Sequence, residues 1–480
     1  MEPSPGDRTL RLAGFPLILL IYGWVYSFRL TLYPLFIDEA IHIRWARDTL
    51  MLSPFAPFDE GKLLMGAALT PFFPFDNGVF TARMVIVLVG MLGLAAAMAL
   101  GTRLWGARAG LTAGLLLTLM PLGVFFGRMA LPDPLGMSLL LVAAALTVEA
   151  LHSGRALPAF AAGVALALAA FTRLTMMVYL VVPVVGWVLI KRSNVQIARI
   201  YAAVLLTALP FLVGGVLAGS IGLEHASGFV EPAPVLQRAG QHIRRAWRWL
   251  SVYATVPLLV ISLVGAGWGI LRRDRGALFV LAGLALPLLA VLWLVSDITV
   301  ARYYMPPAAA GVLLTGGLIW WIADRLPGGW VWGTLASAIL VVGMLPFVAT
   351  ALERPADLPL PGRDYRDYLT QSTSGYGVAE GSEWLYQYAE ANGPVTVICG
   401  ARVTCDWLDT FHHEIPGVAY ASSDGLMALE PDRITLYAND DPPQFSSVLP
   451  DERRYNVVEV ARFVRPGGES AFVFYRLSDR

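Results

Sequence analysis

The sequence predicts an α-helical polytopic membrane protein with a C-terminal α/β domain, on three observations. Apolar residues make up 56% of the chain and charged residues only 15%. The apolar residues fall into runs of about 18 or more, each long enough to cross a bilayer as a helix. After Thr350 the runs shorten, Pro355, Pro359 and Pro361 make a linker, and a polar, Tyr-rich stretch follows. The expected domains are a transmembrane domain over 1–350, with outer loops 34–83 and 221–250, and a soluble extracytoplasmic α/β domain over 351–480.

In chain order the apolar segments are 12–33, 84–104, 109–126, 133–151, 156–172, 174–190, 200–220, 252–271, 277–296, 303–323 and 330–350, about eleven spans. The first lacks a small-residue cleavage site and reads as a retained signal anchor. Trp24, Trp105, Trp187, Trp268, Trp293, Trp320, Trp321 and Trp330 cluster towards span ends, as interfacial aromatics do. An N-terminus inside makes three short loops cytoplasmic: those with Arg103 and Arg108, with Lys191, Arg192 and Arg199, and with Arg272, Arg273 and Arg275. The tail then lies outside. Lys and Arg are nearly balanced between the two sides, so this orientation rests on loop length and on the scarcity of acids in most inner loops. The outer cations Arg44, Arg47, Lys62, Arg128 and Arg302 then need a partner, which an anionic ligand at the outer membrane surface supplies.

The stretch Phe36-Ile37-Asp38-Glu39-Ala40-Ile41-His42-Ile43-Arg44-Trp45-Ala46-Arg47 follows directly on the first span. It predicts a helix with Asp38 as N-cap and Glu39 in the first turn, where unpaired backbone N–H groups and the positive dipole end keep both acids ionised. Ile41, Trp45, Thr49 and Leu52 recur at helical spacing, with His42, Arg44, Arg47 and Asp48 turned elsewhere, as in a helix lying flat on a membrane. A single acid there is explained by capping. A pair, in a loop that also holds Asp59, Glu60 and Lys62, reads as the floor of an active site.

The second outer loop ends in Arg238, His242, Arg244, Arg245 and Arg248, interleaved with Val235, Leu236, Ile243, Trp247 and Leu250. This basic interfacial helix reads equally as a face resting on anionic lipid and as a ligand-binding element. In the tail, Trp384, Leu385 and Tyr388 share a helix face, Val395–Cys399 reads as a strand, and 455–464 with 470–477 reads as a hairpin across Pro466-Gly467-Gly468. Cys399 and Cys405 are the only cysteines, and their closeness leaves a bonded and an unbonded state equally open. His412-His413-Glu414 reads as an exposed polar helix sooner than as a metal site. A formal net charge of zero gives a nucleic-acid partner no support.

Two further outer constellations repeat the combination of acid and arginine. Gly127-Arg128-Met129-Ala130-Leu131-Pro132-Asp133-Pro134 joins the third and fourth spans, and Asp297 precedes Arg302-Tyr303-Tyr304-Met305-Pro306-Pro307 at the start of the tenth. A helix cap explains Asp133 alone and a snorkelling anchor explains Arg302 alone. Three such places on one side of one chain point to a shared site.

The acidic pair after span one, the Ala82-Arg83 start of span two, the Arg128-x4-Asp133 loop and the Arg302-Tyr303-x2-Pro306-Pro307 start of a late span resemble the membrane glycosyltransferases of the GT-C fold. The nearest branch is that of the dolichyl-phosphate-mannose protein mannosyltransferases and aminoarabinose transferases (glycosyltransferase family 39-like), over residues 10–325 in layout. The resemblance implies inverting transfer of a sugar from a polyprenyl-phosphate carrier to an acceptor at the outer membrane face. It makes Asp38 the catalytic carboxylate with Glu39 beside it, and Asp133 a second essential acid. Lys62, Arg302 and Tyr303 hold the lipid phosphate, with Arg44 and Arg128 as further cations for it, and Glu60 joins Asp38 in a divalent metal site. The implied partners are a polyprenyl-phosphate-linked sugar, membrane lipid, and an acceptor that is protein, lipid or glycan, without nucleic acid. The expected location is a bacterial plasma membrane, N-terminus cytoplasmic and C-terminal domain extracytoplasmic.

The sequence departs from that branch twice. Ala40 and Ile41 stand where an Arg closely follows the acidic pair, and Gly61 separates Glu60 from Lys62, with Leu63-Leu64 in place of two prolines. The competing readings are a transporter or flippase for a lipid or anionic solute, and a polysaccharide polymerase or ligase. Acids at span ends and the lack of repeated halves favour the transferase over the transporter.

Overall fold

The computed structural model describes residues 5–50, 62–72, 78–217, 235–294, 300–400, 402–411, 415–422, 433–443, 450 and 453–479. Among them, eight helices are long and apolar enough to cross a membrane: Leu12–Leu32, Gly78–Trp105, Pro132–Ser153, Asn194–Gly214, Ala239–Arg272, Arg275–Trp293, Ala301–Ala323 and Gly329–Glu353. The other three expected segments are helical but shorter, for local reasons. Pro121 starts a new helix, so 109–126 is split into Ala107–Leu119 and Pro121–Phe126. Ala156–Thr172 stops at Arg173, after which Leu174–Val181 is a 3-10 stretch leading into Val182–Leu189.

The chain divides into two compact units, 1–29 with 53–68 and 84–354, and 30–52 with 69–83 and 355–480. The first is the apolar helical bundle. Its helices approach through small residues, as apolar helices without a hydrophobic drive between them must. Ala150, Ala159, Ala162 and Ile200 form one such seam, and a Cβ on Gly163 would lie 2.2 Å from the Ile200 carbonyl oxygen. Polar pairs at one end of this bundle join loops that the alternation of spans puts on one side: Arg103 with Glu149 at 3.7 Å, Arg108 with Asp324 at 3.9 Å, and Trp105 Nε1 donating to Asp274 at 3.1 Å. The basic helix Val235–Leu250 presents His242, Ala246, Trp249 and then Tyr253 to the bundle, and leaves Ile243 and Trp247 exposed among Arg244, Arg245 and Arg248. Trp249 lies 6.0 Å from Tyr304, ring to ring, which docks this helix beside the Arg302–Tyr304 turn.

The second unit is built on a five-stranded sheet of order β2-β1-β3-β5-β4, with β1 Val395–Cys399, β2 Val418–Ser422, β3 Ile434–Asp441, β4 Tyr455–Val464 and β5 Ala471–Asp479. β1 pairs in parallel with β2 and β3, so it sits inside the sheet and is buried at every position but the half-buried Thr396. β4 and β5 form the expected hairpin, turned by Gly467 and Gly468 at φ 88° and 73°. Helix Val378–Asn392 covers the sheet through Leu385 and through Trp384, which lies 4.8 Å from Tyr388 and 4.9 Å from Phe474. Cys399 and Cys405 are joined by a disulfide, because helix Arg402–Phe411 starts just past β1 and brings the two Cα atoms to 5.7 Å.

Helix Ile37–Leu50 of the first outer loop folds into this second unit and packs on helix Arg402–Phe411. Its buried residues are Glu39, Ala40, His42, Ile43, Trp45 and Ala46. The expectation of a helix lying flat on a membrane with His42 turned away is thereby corrected: the apolar stripe has a protein partner, and His42 is inside it.

Candidate active site

The first turn of helix Ile37–Leu50 is set by one buried ion pair. Glu39 and Arg83 have fully buried side chains, and Arg83 binds the carboxylate with two parallel bonds, Nε to Oε1 at 2.8 Å and Nη2 to Oε2 at 2.7 Å. The same guanidinium donates to the carbonyls of Leu30, Tyr33 and Pro34 at 2.8–2.9 Å. Glu39 also reaches back to accept from the Phe36 backbone N–H at 3.1 Å, as the third residue of a capping box does. Phe36 is thus the cap, and Asp38, expected there, lies inside the first turn. Glu39, expected to share the catalytic role, has both oxygens hydrogen-bonded to Arg83 and Phe36 within the turn. Asp38 keeps a half-buried side chain in the first turn, at the positive end of the helix dipole.

Removing one member of a fully buried pair strands the other. Arg83→Met is expected to destabilise the protein by about 3–5 kcal/mol, read as a lower midpoint of thermal unfolding in detergent. Arg83→Met/Glu39→Gln is expected to be less destabilised than the sum of its single variants.

The loop 30–36 is held from its other side as well. Phe36 stacks on Tyr368 at 4.3 Å, and Gly375, at φ 72°, leaves room for the Leu35 carbonyl, which a Cβ would meet at 1.9 Å. Arg44, expected at the lipid phosphate, donates instead to Asp406 at 2.5 Å and lies 3.7 Å from Asp48. Its charge is used to fasten helix Ile37–Leu50 to helix Arg402–Phe411.

In the helical bundle, Asp133 is the centre of a cationic cluster. Arg173 Nη1 donates to Oδ1 at 2.8 Å and Arg302 Nε lies 3.2 Å from Oδ2, with side chains 6%, 17% and 11% exposed for Asp133, Arg173 and Arg302. Arg173 also bonds the Tyr303 hydroxyl, and its guanidinium carbon sits 3.7 Å from the Tyr303 ring centroid. Among the described residues two guanidiniums thus flank one carboxylate, each with its side chain partly exposed. The expected trio Asp133, Arg302 and Tyr303 is therefore brought together, and Arg173 is added to it. Arg173 is the one charged residue between Ala156 and Ile190, a signal that the division into two apolar spans passes over.

Arg128, expected to bind phosphate, is fully buried and donates to the carbonyls of Phe28 and Arg29 at 2.6 and 3.1 Å. It closes the C-terminal end of the first helix, where cations and donors are favoured. Lys62 is half-buried and precedes helix Leu63–Leu69, with its carbonyl accepting from Met65 N–H at 3.0 Å. Asp59, Glu60, Asp297 and the His412-His413-Glu414 motif lie outside the described residues. Among the described residues no three His, Cys, Asp or Glu side chains gather to hold a metal ion. Of the two expected metal ligands Asp38 is described, whereas Glu60 lies outside the described residues.

Residues 67–214 match the family described as dolichyl-phosphate-mannose-protein mannosyltransferase, a stretch that takes in Arg83, Asp133 and Arg173. ArnT from Cupriavidus metallidurans bound to undecaprenyl phosphate has a similar structure, with a TM-score of 0.62 at 15% identity over 98% of both chains. Its apo state gives 0.63 at 15% identity over 97% of this chain and 98% of that one. The archaeal oligosaccharyltransferase AglB from Archaeoglobus fulgidus, in complex with an inhibitory peptide and a dolichol-phosphate, gives 0.51 at 11% identity over 86% of this chain and 65% of its own. No curated protein matches the sequence. The chain has the GT-C fold, ArnT-like along nearly its whole length, and is an integral membrane protein.

Proposed function

We propose that this protein is an inverting glycosyltransferase that moves a hexosyl or pentosyl group from a polyprenyl monophosphate to an acceptor at the outer face of the membrane. The observation that carries the proposal is the Asp133 cluster. Asp133 holds Arg173 and Arg302 side by side, so both guanidiniums are positioned before a ligand arrives. A leaving phosphate gains negative charge as its bond to the sugar breaks, and pre-set donors stabilise that charge without reorganising. Arg carries the forked geometry that matches phosphate oxygens.

In the proposed reaction an acceptor oxygen or nitrogen attacks the anomeric carbon from the face opposite the phosphate. The carbon–oxygen bond to phosphate breaks, and the phosphate leaves with the bonding pair as polyprenyl phosphate on Arg173 and Arg302, with Lys62 as a further cation. The acceptor's proton passes to the Asp38 carboxylate. A carboxylate in a first helical turn is a weak base, so the proton moves late, once the attacking atom has become acidic. Glu39 and Arg83 hold the turn that aims Asp38. The disulfide in the C-terminal domain supports placing that domain outside the cytoplasm, where such bonds persist, with the N-terminus cytoplasmic.

The test is transfer from a panel of radiolabelled polyprenyl-phosphate sugars in membranes carrying the protein. Labelled product from one or two donors, absent from control membranes, is the expected result. Movement of intact donor across the membrane without loss of its sugar would make the protein a flippase.

A further inference from the structure

Within the second unit lies a cavity of about 360 Å³, walled on one side by residues 31–34 and on the other by Gly375, Tyr376, Ala379, Glu380 and Thr410. Its volume falls among those of small-molecule sites, about 300–1,000 Å³. We infer that this cavity receives the acceptor as a neutral or amino-bearing carbohydrate, and that Tyr376 and Glu380 select it. The word acceptor rests on the transferase reading above; the ligand chemistry rests on the cavity alone.

The polar groups of the lining are the hydroxyls of Tyr33, Tyr376, Thr31 and Thr410 and the carboxylate of Glu380. Glu380 is exposed and so stands at the rim. Among the described residues no Arg, Lys or His lines the cavity, which sets it apart from the arginine cluster that suits phosphate. An anionic group entering here meets Glu380 unopposed, whereas an ammonium gains from it and a sugar hydroxyl is indifferent to it. The Tyr376 hydroxyl is buried and makes no hydrogen bond among the described residues. A buried hydroxyl without a partner costs free energy that a ligand hydroxyl recovers. Burial holds its pKa well above the ordinary phenol value, with Tyr33, Glu380 and Asp357 adding to the shift, so Tyr376 meets a ligand as an O–H donor. Two tyrosines facing one small space also suit the apolar faces of a pyranose ring.

The cavity is tied to the catalytic acid through the chain. Pro34 lines it and stands four residues before Asp38, a reach of at most about 14 Å. One guanidinium, that of Arg83, binds the carbonyls of Tyr33 and Pro34 and the carboxylate of Glu39. The cavity wall and the turn carrying Asp38 are therefore fixed by the same clamp.

The experiment uses the full chain in detergent, with methyl glucosaminide, methyl glucoside and methyl glucuronide as probes in saturation-transfer NMR. The amino and neutral glycosides are expected to bind the wild type, and the glucuronide at least about tenfold more weakly. Tyr376→Phe is expected to weaken both binders about fivefold or more, Glu380→Gln only the glucosaminide, and Ala379→Trp, which fills the space, to abolish both. Preference for the glucuronide, or affinities unchanged in all three variants, would overturn the inference. Transfer from a labelled donor to the same glycosides separates the two proposals. Binding that responds to the variants without any transfer by the wild type overturns the transferase reading and leaves the cavity assigned. Transfer whose acceptor KM is unmoved by Tyr376→Phe and Glu380→Gln overturns the cavity assignment and leaves the transferase.

Discussion

Asp38→Asn is expected to lower the turnover of sugar transfer about a hundred- to ten-thousand-fold, the range for loss of a positioned proton acceptor, with thermal stability close to that of the wild type. The stability half of this result follows from the structure. Asn is nearly isosteric with Asp, and the first turn is held by the hydrogen bonds that join Glu39 to Arg83 and to the Phe36 backbone N–H. The activity half follows from charge: an amide accepts no proton from the attacking group. Glu39→Gln supplies the contrast. It breaks a buried pair, so its loss of activity is expected to come with a loss of stability, whereas Asp38→Asn loses activity alone. Equal activity of Asp38→Asn and wild type would reduce Asp38 to a helix-dipole partner and move the site elsewhere.

The second large effect is expected at Arg173. Arg173→Met removes one of the two guanidiniums on Asp133. Loss of one donor to a developing anion costs about a hundred- to a thousandfold in turnover, and that is the expected fall in kcat, larger than any rise in donor KM. Arg173→Lys keeps the charge without the fork and is expected to fall between the two. Asp133→Asn leaves both cations in place without the carboxylate that spaces them, so its expected signature is weaker positioning with a milder fall in kcat. A change confined to donor KM in Arg173→Met would mean that the cluster binds ground-state phosphate only.

The parts of the candidate site that can be read from the sequence are those where a residue type is out of place. Asp38 and Asp133 stand out as acids at the ends of apolar runs, and Arg302 with Tyr303 as polar residues opening a span. Arg173 is as anomalous, but apolar runs on both sides make it look like a gap between helices. Glu39 shows the opposite failure. Adjacency suggests a role shared with Asp38, yet on a helix neighbouring residues point about 100° apart, and Glu39 turns inward to Arg83. Arg44 finds its partner, Asp406, 362 residues further on, and Arg128 finds backbone carbonyls, which no pattern of side chains marks. The bundle was legible because length and hydropathy alone define a span. The inclusion of helix Ile37–Leu50 in the C-terminal unit was not, because an amphipathic stripe has the same period against a membrane as against another helix.

The central claim is that the protein transfers a sugar from a polyprenyl monophosphate with inversion. The most direct measurement follows the purified protein turning over a labelled donor of known anomeric configuration, counting the lipid phosphate released and reading the product's configuration by NMR. One polyprenyl monophosphate per new glycosidic bond, with the anomeric configuration inverted, is the predicted result. Retained configuration, or donor that stays intact while it binds, would contradict it.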